Sequence, residues 1–182
     1  MTSTLYSQAL DTDGGNWDGY TNVVTIAAAA LTIPSDAILF IRATFQAGNA
    51  EALTITNAYV GHKAASGNAW DFAATPAQFL FSGSGTKTIT AGTEAVSDWV
   101  NFVYNKTSGL TIAMYHNGGA GADTLRYKTG LGANINEYYK AATNEAATVV
   151  KSAGYTTNAG YLFAINKIEV SSSSGGGFLL FF

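Results

Sequence analysis

Two histidines, three early aspartates and a scatter of large aromatic rings are the groups in this chain that could do chemistry. His62 and His116 occur with Asp71, Asp98, Asp123 and many serines, the residue types of a Ser-His-Asp hydrolase. That chemistry needs its serine on a strained, exposed turn, and no Gly-x-Ser-x-Gly segment occurs. His116 precedes Asn117-Gly118-Gly119, a turn where an exposed, idle histidine is common. Two histidines far apart in the chain also lack the short-spaced ligand pairs of a zinc site. Glycoside hydrolysis would need two carboxylates held about 5–10 Å apart, and the 12 acidic residues are scattered. No catalytic residue is expected, and the chain reads as a non-enzyme.

Asp11, Asp13 and Asp18 are closely spaced in a Gly-rich segment. Their oxygens suit calcium, which accepts six to eight oxygen ligands from flexible loops. The EF-hand pattern fails because no bidentate Glu stands at its twelfth position, and an Asx-rich turn explains the same residues. Calcium is the one cofactor that the sequence leaves open. Trp17, Trp70, Tyr115 and Tyr127 fall at strand ends or in Gly/Asn-rich segments, with Asn117 beside Tyr115. Flat rings with a polar tip stack on sugar faces, and they equally serve subunit interfaces. These five residues are candidate glycan contacts.

The elements that must position these groups read as strands. Period-two apolar patterns recur over 21–33, 37–46, 52–60, 77–82, 86–90, 95–104, 110–116 and 161–170, separated by Gly, Asn and Ser turn signals. In 37–46 the alternation places Leu39, Ile41, Ala43 and Phe45 on one face. In 52–60 it groups Leu53, Ile55 and Tyr59. The stretch 134–151 mixes helix formers with Tyr, Thr and Val, and is read as two strands turning near Thr143-Asn144. No long amphipathic helix separates the strands, so the expected class is all-β, an antiparallel β-sandwich of jelly-roll type.

Composition narrows the function further. Only 12% of the 182 residues are charged, 47% are hydrophobic, and the net charge is −3. Nine basic residues with no cluster do not suit nucleic acid. The absence of cysteine removes disulfides and thiolate chemistry together. No apolar run is long enough to span a membrane, and residues 1–6 lack the marks of an export signal. Three segments are expected: 1–20 as an arm or edge strand, 21–170 as the sandwich, and 171–182 as a tether with an anchor. The tether is Ser/Gly-rich. It leads to Phe178, Leu179, Leu180, Phe181 and Phe182, whose burial is worth about 1.5–3 kcal/mol each. Such a segment is expected to dock on another chain or on a groove of its own domain.

A resemblance adds to this reading. Tyr59-Val-Gly-His62, Asp71-Phe72, Thr75-Pro76, Ile89-Thr-Ala-Gly92, Val96-Ser-Asp98-Trp99-Val100 and Leu110-Thr-Ile-Ala-Met-Tyr115 follow one another as in jelly-roll modules of phage tail and particle proteins. Similar modules are attached to some SGNH-type esterases. The likeness covers about residues 20–170 and implies a lectin-like sandwich used for attachment. The esterase blocks themselves, a Gly-Asp-Ser start and an Asp-x-x-His end, are absent. What the resemblance implies is a virion protein made in the host cytoplasm: a fibre, spike, decoration or tail subunit. Its expected partners are other virion proteins and copies of itself, with a trimer as the implied homo-oligomer. A lectin-like module recognising a host surface glycan is the alternative.

Overall fold

A computed structural model describes residues 1–35, 37–117 and 124–172. Asp123 and the proposed anchor, Phe178 to Phe182, lie outside the described residues. Among those described, strands follow in chain order as β1 (Thr2–Ser7), β2 (Thr12–Asn16), β3 (Tyr20–Ile26), β4 (Phe40–Gln46), β5 (Leu53–His62), β6 (Ala77–Phe79), β7 (Lys87–Ile89) and β8 (Glu94–Val96). They continue as β9 (Val100–Asn101), β10 (Leu110–His116), β11 (Thr124–Lys128), β12 (Ile135–Ala141), β13 (Thr156–Ala159), β14 (Leu162–Phe163) and β15 (Ile165–Ser171). No helix among the described residues is long and apolar enough to cross a membrane.

The strands form an all-β sandwich. One sheet runs β1-β15-β4, with β8 and β9 both on the far side of β4. The opposing sheet runs β13-β12-β3-β10-β5, with β6 and β7 both beyond β5. A small third sheet, β14-β11-β2, lies beside them. Every pairing in the two large sheets is antiparallel, and most neighbours are distant in the chain.

Alternation explains the core. Ile41, Ala43 and Phe45 of β4 and Ile168 and Val170 of β15 face Val24, Ile26, Leu53, Ile55, Leu110, Ile112 and Met114 of the opposing sheet in one buried cluster. Phe45 meets Phe79 and Phe81 edge-on at 5.7 and 5.6 Å, a favoured aromatic geometry. Leu39, expected to share this face, lies just before β4 and is exposed. The opposing sheet is also covered on its outer side. Segments 64–76 and 143–155 lie over it and enclose a second cluster of Val23, Phe72, Ala113, Tyr138, Ala146 and Tyr155. That explains why nearly all of β10 is buried: each face of the strand has its own cover.

The structure departs from the sequence expectations at further places. The strand expected over 95–104 is two short ones, Glu94–Val96 and Val100–Asn101, both paired with β4, with the chain between them turned so that Asp98 can accept the Ser82 and Gly83 N–H groups. The pattern over 21–33 ends as a strand at Ile26 and gives way to a 3-10 turn at Ala28–Ala30, where the β-branched residues stop. Over 134–151 only Ile135–Ala141 is a strand. The following residues bury Ala146 and Lys151 against the outer face, and the sheet edge is taken by β13 instead. The 161–170 strand breaks at Ala164, whose φ of 56° turns the chain from the small sheet into β15. In β5 a bulge opposite Tyr115 and His116 shifts the alternation. Leu53 and Ile55 point into the core before it and Ala58 and Val60 after it, which leaves Tyr59 on the other face with the second cluster.

Gly61 shows how closely that outer cover is seated. A Cβ there would stand 2.6 Å from Phe72 Cδ1, in a β5 residue paired with Thr111. Gly61→Ala is expected to cost about 1–3 kcal/mol through overpacking, read as a lower urea midpoint with an unchanged slope.

Candidate binding groove

The groups singled out in the sequence are mostly engaged in holding the fold. His62 stacks on Tyr104 at 5.6 Å and its Nε2 accepts the Asn105 N–H at 2.8 Å. Burial lowers its pKa, so it is a neutral acceptor. His116, expected to be exposed at a turn, is instead 0% exposed as the last residue of β10, and neither ring nitrogen has a hydrogen-bond partner. Burial drives its pKa down to about 3, against an opposing pull from Asp18. Asp98 caps a turn by accepting the Ser82 and Gly83 N–H groups at 3.1 and 2.7 Å. Asp71 is buried and accepts the Lys151 and Asn68 N–H groups at 2.8 and 3.0 Å. No described hydrogen bond joins either histidine to a serine.

The three early aspartates do not converge. Asp11 pairs with Lys128, while Asp13 pairs with Arg126 at 3.3 Å and accepts the Asn49 N–H at 3.0 Å. Among the described residues no three His, Asp or Glu side chains gather as a metal site would require.

The candidate glycan residues divide between two places. Trp17 packs edge-on against Tyr20, Tyr139 and Phe163 at 5.3, 5.2 and 5.0 Å. Tyr127 stacks on the other side of this group, 5.2 Å from Phe163. Trp70 stacks on Tyr155 at 5.1 Å over the outer face of the second sheet, where Tyr115 also packs. Asn117 is exposed and reaches the Tyr115 hydroxyl at 3.5 Å. None of the five lines the broad polar concavity that the described residues form elsewhere.

That concavity lies on the outer face of the first sheet and encloses about 420 Å³, a size within the usual range for small-ligand sites. Its floor follows from strand alternation: with Ile41, Ala43, Ile168 and Val170 turned inward, Arg42 and Thr44 of β4 and Lys167 and Glu169 of β15 must turn outward. Glu94 and Val96 of β8 form one wall, and Ser7, Gln8 and Ala9 form the other. A bulge between Ile165 and Lys167 inserts Asn166 beside Lys167 on the same side. Bulges commonly re-aim a side chain in this way.

The groove is electrostatically balanced. Glu169 accepts from Arg42 Nε at 2.9 Å and from Lys167 Nζ at 2.8 Å. Burial pushes its carboxyl up, but these hydrogen bonds outweigh it and hold the pKa below its ordinary value. The Arg42 guanidinium also lies 4.5 Å from the centre of the Trp99 ring, which holds its plane in place. Asn166 donates its amide to Glu94, while its buried Oδ1 has no partner. The sequence carried a faint signal of this surface, in polar residues at the outward positions of two core strands. It did not reveal that these strands are neighbours.

No protein-family model matches the chain, and comparison with curated proteins finds no relative.

Proposed function

We propose that the protein is a non-enzymatic structural subunit of a virus particle, of the fibre, spike, decoration or tail kind. It assembles with other virion proteins through the apolar segment 178–182 and forms a homo-oligomer, a trimer by the resemblance to jelly-roll modules. The observation that supports this best is the polarity of the first sheet. Met1 and Ser172 meet at one end of it, where the Met1 ammonium donates to Ser172 Oγ at 3.1 Å and Ser171 Oγ donates to the Met1 carbonyl at 3.1 Å. The groove lies on the outer face of this sheet and extends to its other end, where Ser7 pairs with Lys167. The chain therefore runs on toward 178–182 from one end and presents a polar concavity toward the other. Such a layout suits a module anchored by its tail with its far end turned outward.

Deleting 178–182 is expected to leave the melting temperature of the sandwich nearly unchanged and to abolish its incorporation into oligomers and particles. Light scattering and a particle-assembly assay check this, and normal incorporation of the shortened chain would sink the anchor. The alternative, a lectin-like module, is favoured by one observation, the groove itself. The two readings are compatible, since an attachment subunit can also bind a host glycan.

A further inference from the structure

We infer that an apolar patch at the end of the first sheet is the docking site of the chain's own segment 178–182. Three of the five large hydrophobic residues exposed among the described residues, Met1 (83%), Leu39 (39%) and Val103 (76%), gather at this end. Hydrogen bonds place them. The Leu39 N–H donates to the Ser171 carbonyl at 3.0 Å, and the Leu39 carbonyl accepts the Phe102 N–H at 2.8 Å. Phe102 and Tyr104 turn into the core, which leaves Val103 between them facing away from it. Met1 lies beside Ser172 and lines a shallow depression with Pro34, Ala37 and Ile38, in which no charged side chain takes part. Segments 64–76 and 143–155 cover the outer apolar residues of the opposing sheet. These three side chains have no such cover among the described residues.

The occupant follows from where the chain goes. Ser172 is the last described residue and stands at the patch itself. Ser173, Ser174 and three glycines separate it from Phe178. A Ser/Gly chain of those six steps spans about 12–15 Å on average and about 20 Å at most. That is enough to reverse direction and bring Phe178 and the residues after it onto Leu39 and Val103. A tether this short holds its end at an effective concentration on the order of millimolar, so at micromolar protein the chain's own segment outcompetes that of a second copy. Docking takes the apolar side chains of the segment and those of the patch out of water together. The docking stands without the particle reading, and only its use rests on that reading: the contact keeps the anchor covered in the free subunit until a neighbour displaces it.

The chain has no cysteine, so pairs of introduced thiols report the contact. The full chain carrying Val103→Cys and Leu180→Cys is oxidised mildly at micromolar concentration and compared with one carrying Thr4→Cys and Leu180→Cys. Thr4 is exposed on the same sheet opposite Glu169, two residues back from Ser171, within reach of the tether but outside the patch. The Val103 pair is expected to close within one chain about tenfold faster than the Thr4 pair, the difference between a docked and a merely tethered thiol. Phe178→Ser with Phe181→Ser, which alter no residue of the sandwich, should bring the two rates together. Chains carrying Val103→Cys alone, mixed with chains carrying Leu180→Cys alone, should give few linked dimers. Equal closure of the two pairs, closure indifferent to the serine replacements, or linked dimers as the main product overturns the assignment, the last giving the patch to a second copy. Closure is read on the isolated full chain and incorporation on the shortened one, so the docking and the anchor fail separately.

Discussion

Replacing Asp71 by alanine is expected to destabilise the fold by about 3–5 kcal/mol, the range for breaking a buried charged cluster by removing one partner. Asp71 is 2% exposed and each of its oxygens holds a backbone N–H from a different segment, Asn68 at 3.0 Å and Lys151 at 2.8 Å. Those segments are the two that cover the outer face of the opposing sheet. Lys151 is equally buried at 2%. Its Nζ donates to the Thr148 carbonyl at 2.8 Å and sits 3.7 Å from the centre of the Phe72 ring. Burial lowers its pKa to about 8, against the opposing pull of Asp71 and Glu145. Alanine at 71 orphans two N–H groups, each worth about 1–3 kcal/mol when left unsatisfied, and removes one of the two charges that keep Lys151 protonated. Asp71→Asn retains one carbonyl acceptor and should cost less than Asp71→Ala. Urea unfolding of the two variants checks the order, and a loss below about 1 kcal/mol for alanine would refute the role of Asp71 as the pin of this cover.

A second large effect is expected from pH. Glu137 is 0% exposed on β12 and accepts amide protons from Asn22 at 2.7 Å and Asn158 at 2.9 Å. Burial nevertheless pushes its pKa up to about 8 from 4.5, with these hydrogen bonds opposing the shift. The folded state therefore keeps a proton that the unfolded chain releases. The resulting stability is fully present below about pH 4.5 and is lost as pH rises through 8, at about 1.4 kcal/mol per pH unit.

His116 acts in the opposite sense. Its pKa falls to about 3 from 6.5, so the stability from its neutral form is present above about pH 6.5 and lost as pH falls toward 3. The two slopes cancel between about pH 4.5 and 6.5; above that window Glu137 acts alone up to about pH 8, and below it Glu169, whose pKa burial pushes up but Lys167 and Arg42 hold down, adds to the loss from His116. Glu137→Gln should therefore gain about 4 kcal/mol over wild type at pH 8 and little at pH 4. The unpartnered Asn22 Oδ1 supplies an acceptor for the new amide once the Asn22 side chain turns over. Thermal unfolding of both proteins from pH 4 to 8 tests this, and an equal difference at all pH values would exclude the buried proton on Glu137.

How much of this was legible in the sequence varies from strand to strand. β10 was readable end to end, because Leu110, Ile112 and Met114 alternate without interruption and Gly109 marks its start. β4 was readable in its core-facing half. β5 was not, because its bulge is defined by how Asn57 and Ile55 pair with β10, and one inserted residue moves Tyr59 to the other face. The segment after Ala141 carries Tyr, Thr and Val in the proportions of a strand, yet Tyr155 and Lys151 are drawn onto the outer face by Trp70, Phe72 and Asp71. Tertiary burial overrides local propensity there.

The groove was less legible than the fold. Arg42 and Glu169 are far apart in the chain, and neither stands in a motif. They meet because β4 and β15 pair with Glu169 opposite Arg42, and because the bulge at Asn166 brings a third polar group to the same side. The aromatic residues, more conspicuous in the sequence, are drawn into ring clusters that close the small sheet and the outer cover.

By itself the sequence determined the class of structure: alternating apolar positions, frequent turn residues and scarce charge admit strands stacked into a sandwich and little else. It also determined the apolar segment 178–182. Only the tertiary structure decided which strands are neighbours, which side of a bulged strand faces the core, and which polar groups share a surface. Alternation is a local property of the backbone, set by covalent geometry at each residue. Pairing and register arise from contacts between residues far apart in the chain. Their gain comes from burial shared by whole sheets, set against the cost of closing long loops, and no short stretch of residues contains that balance.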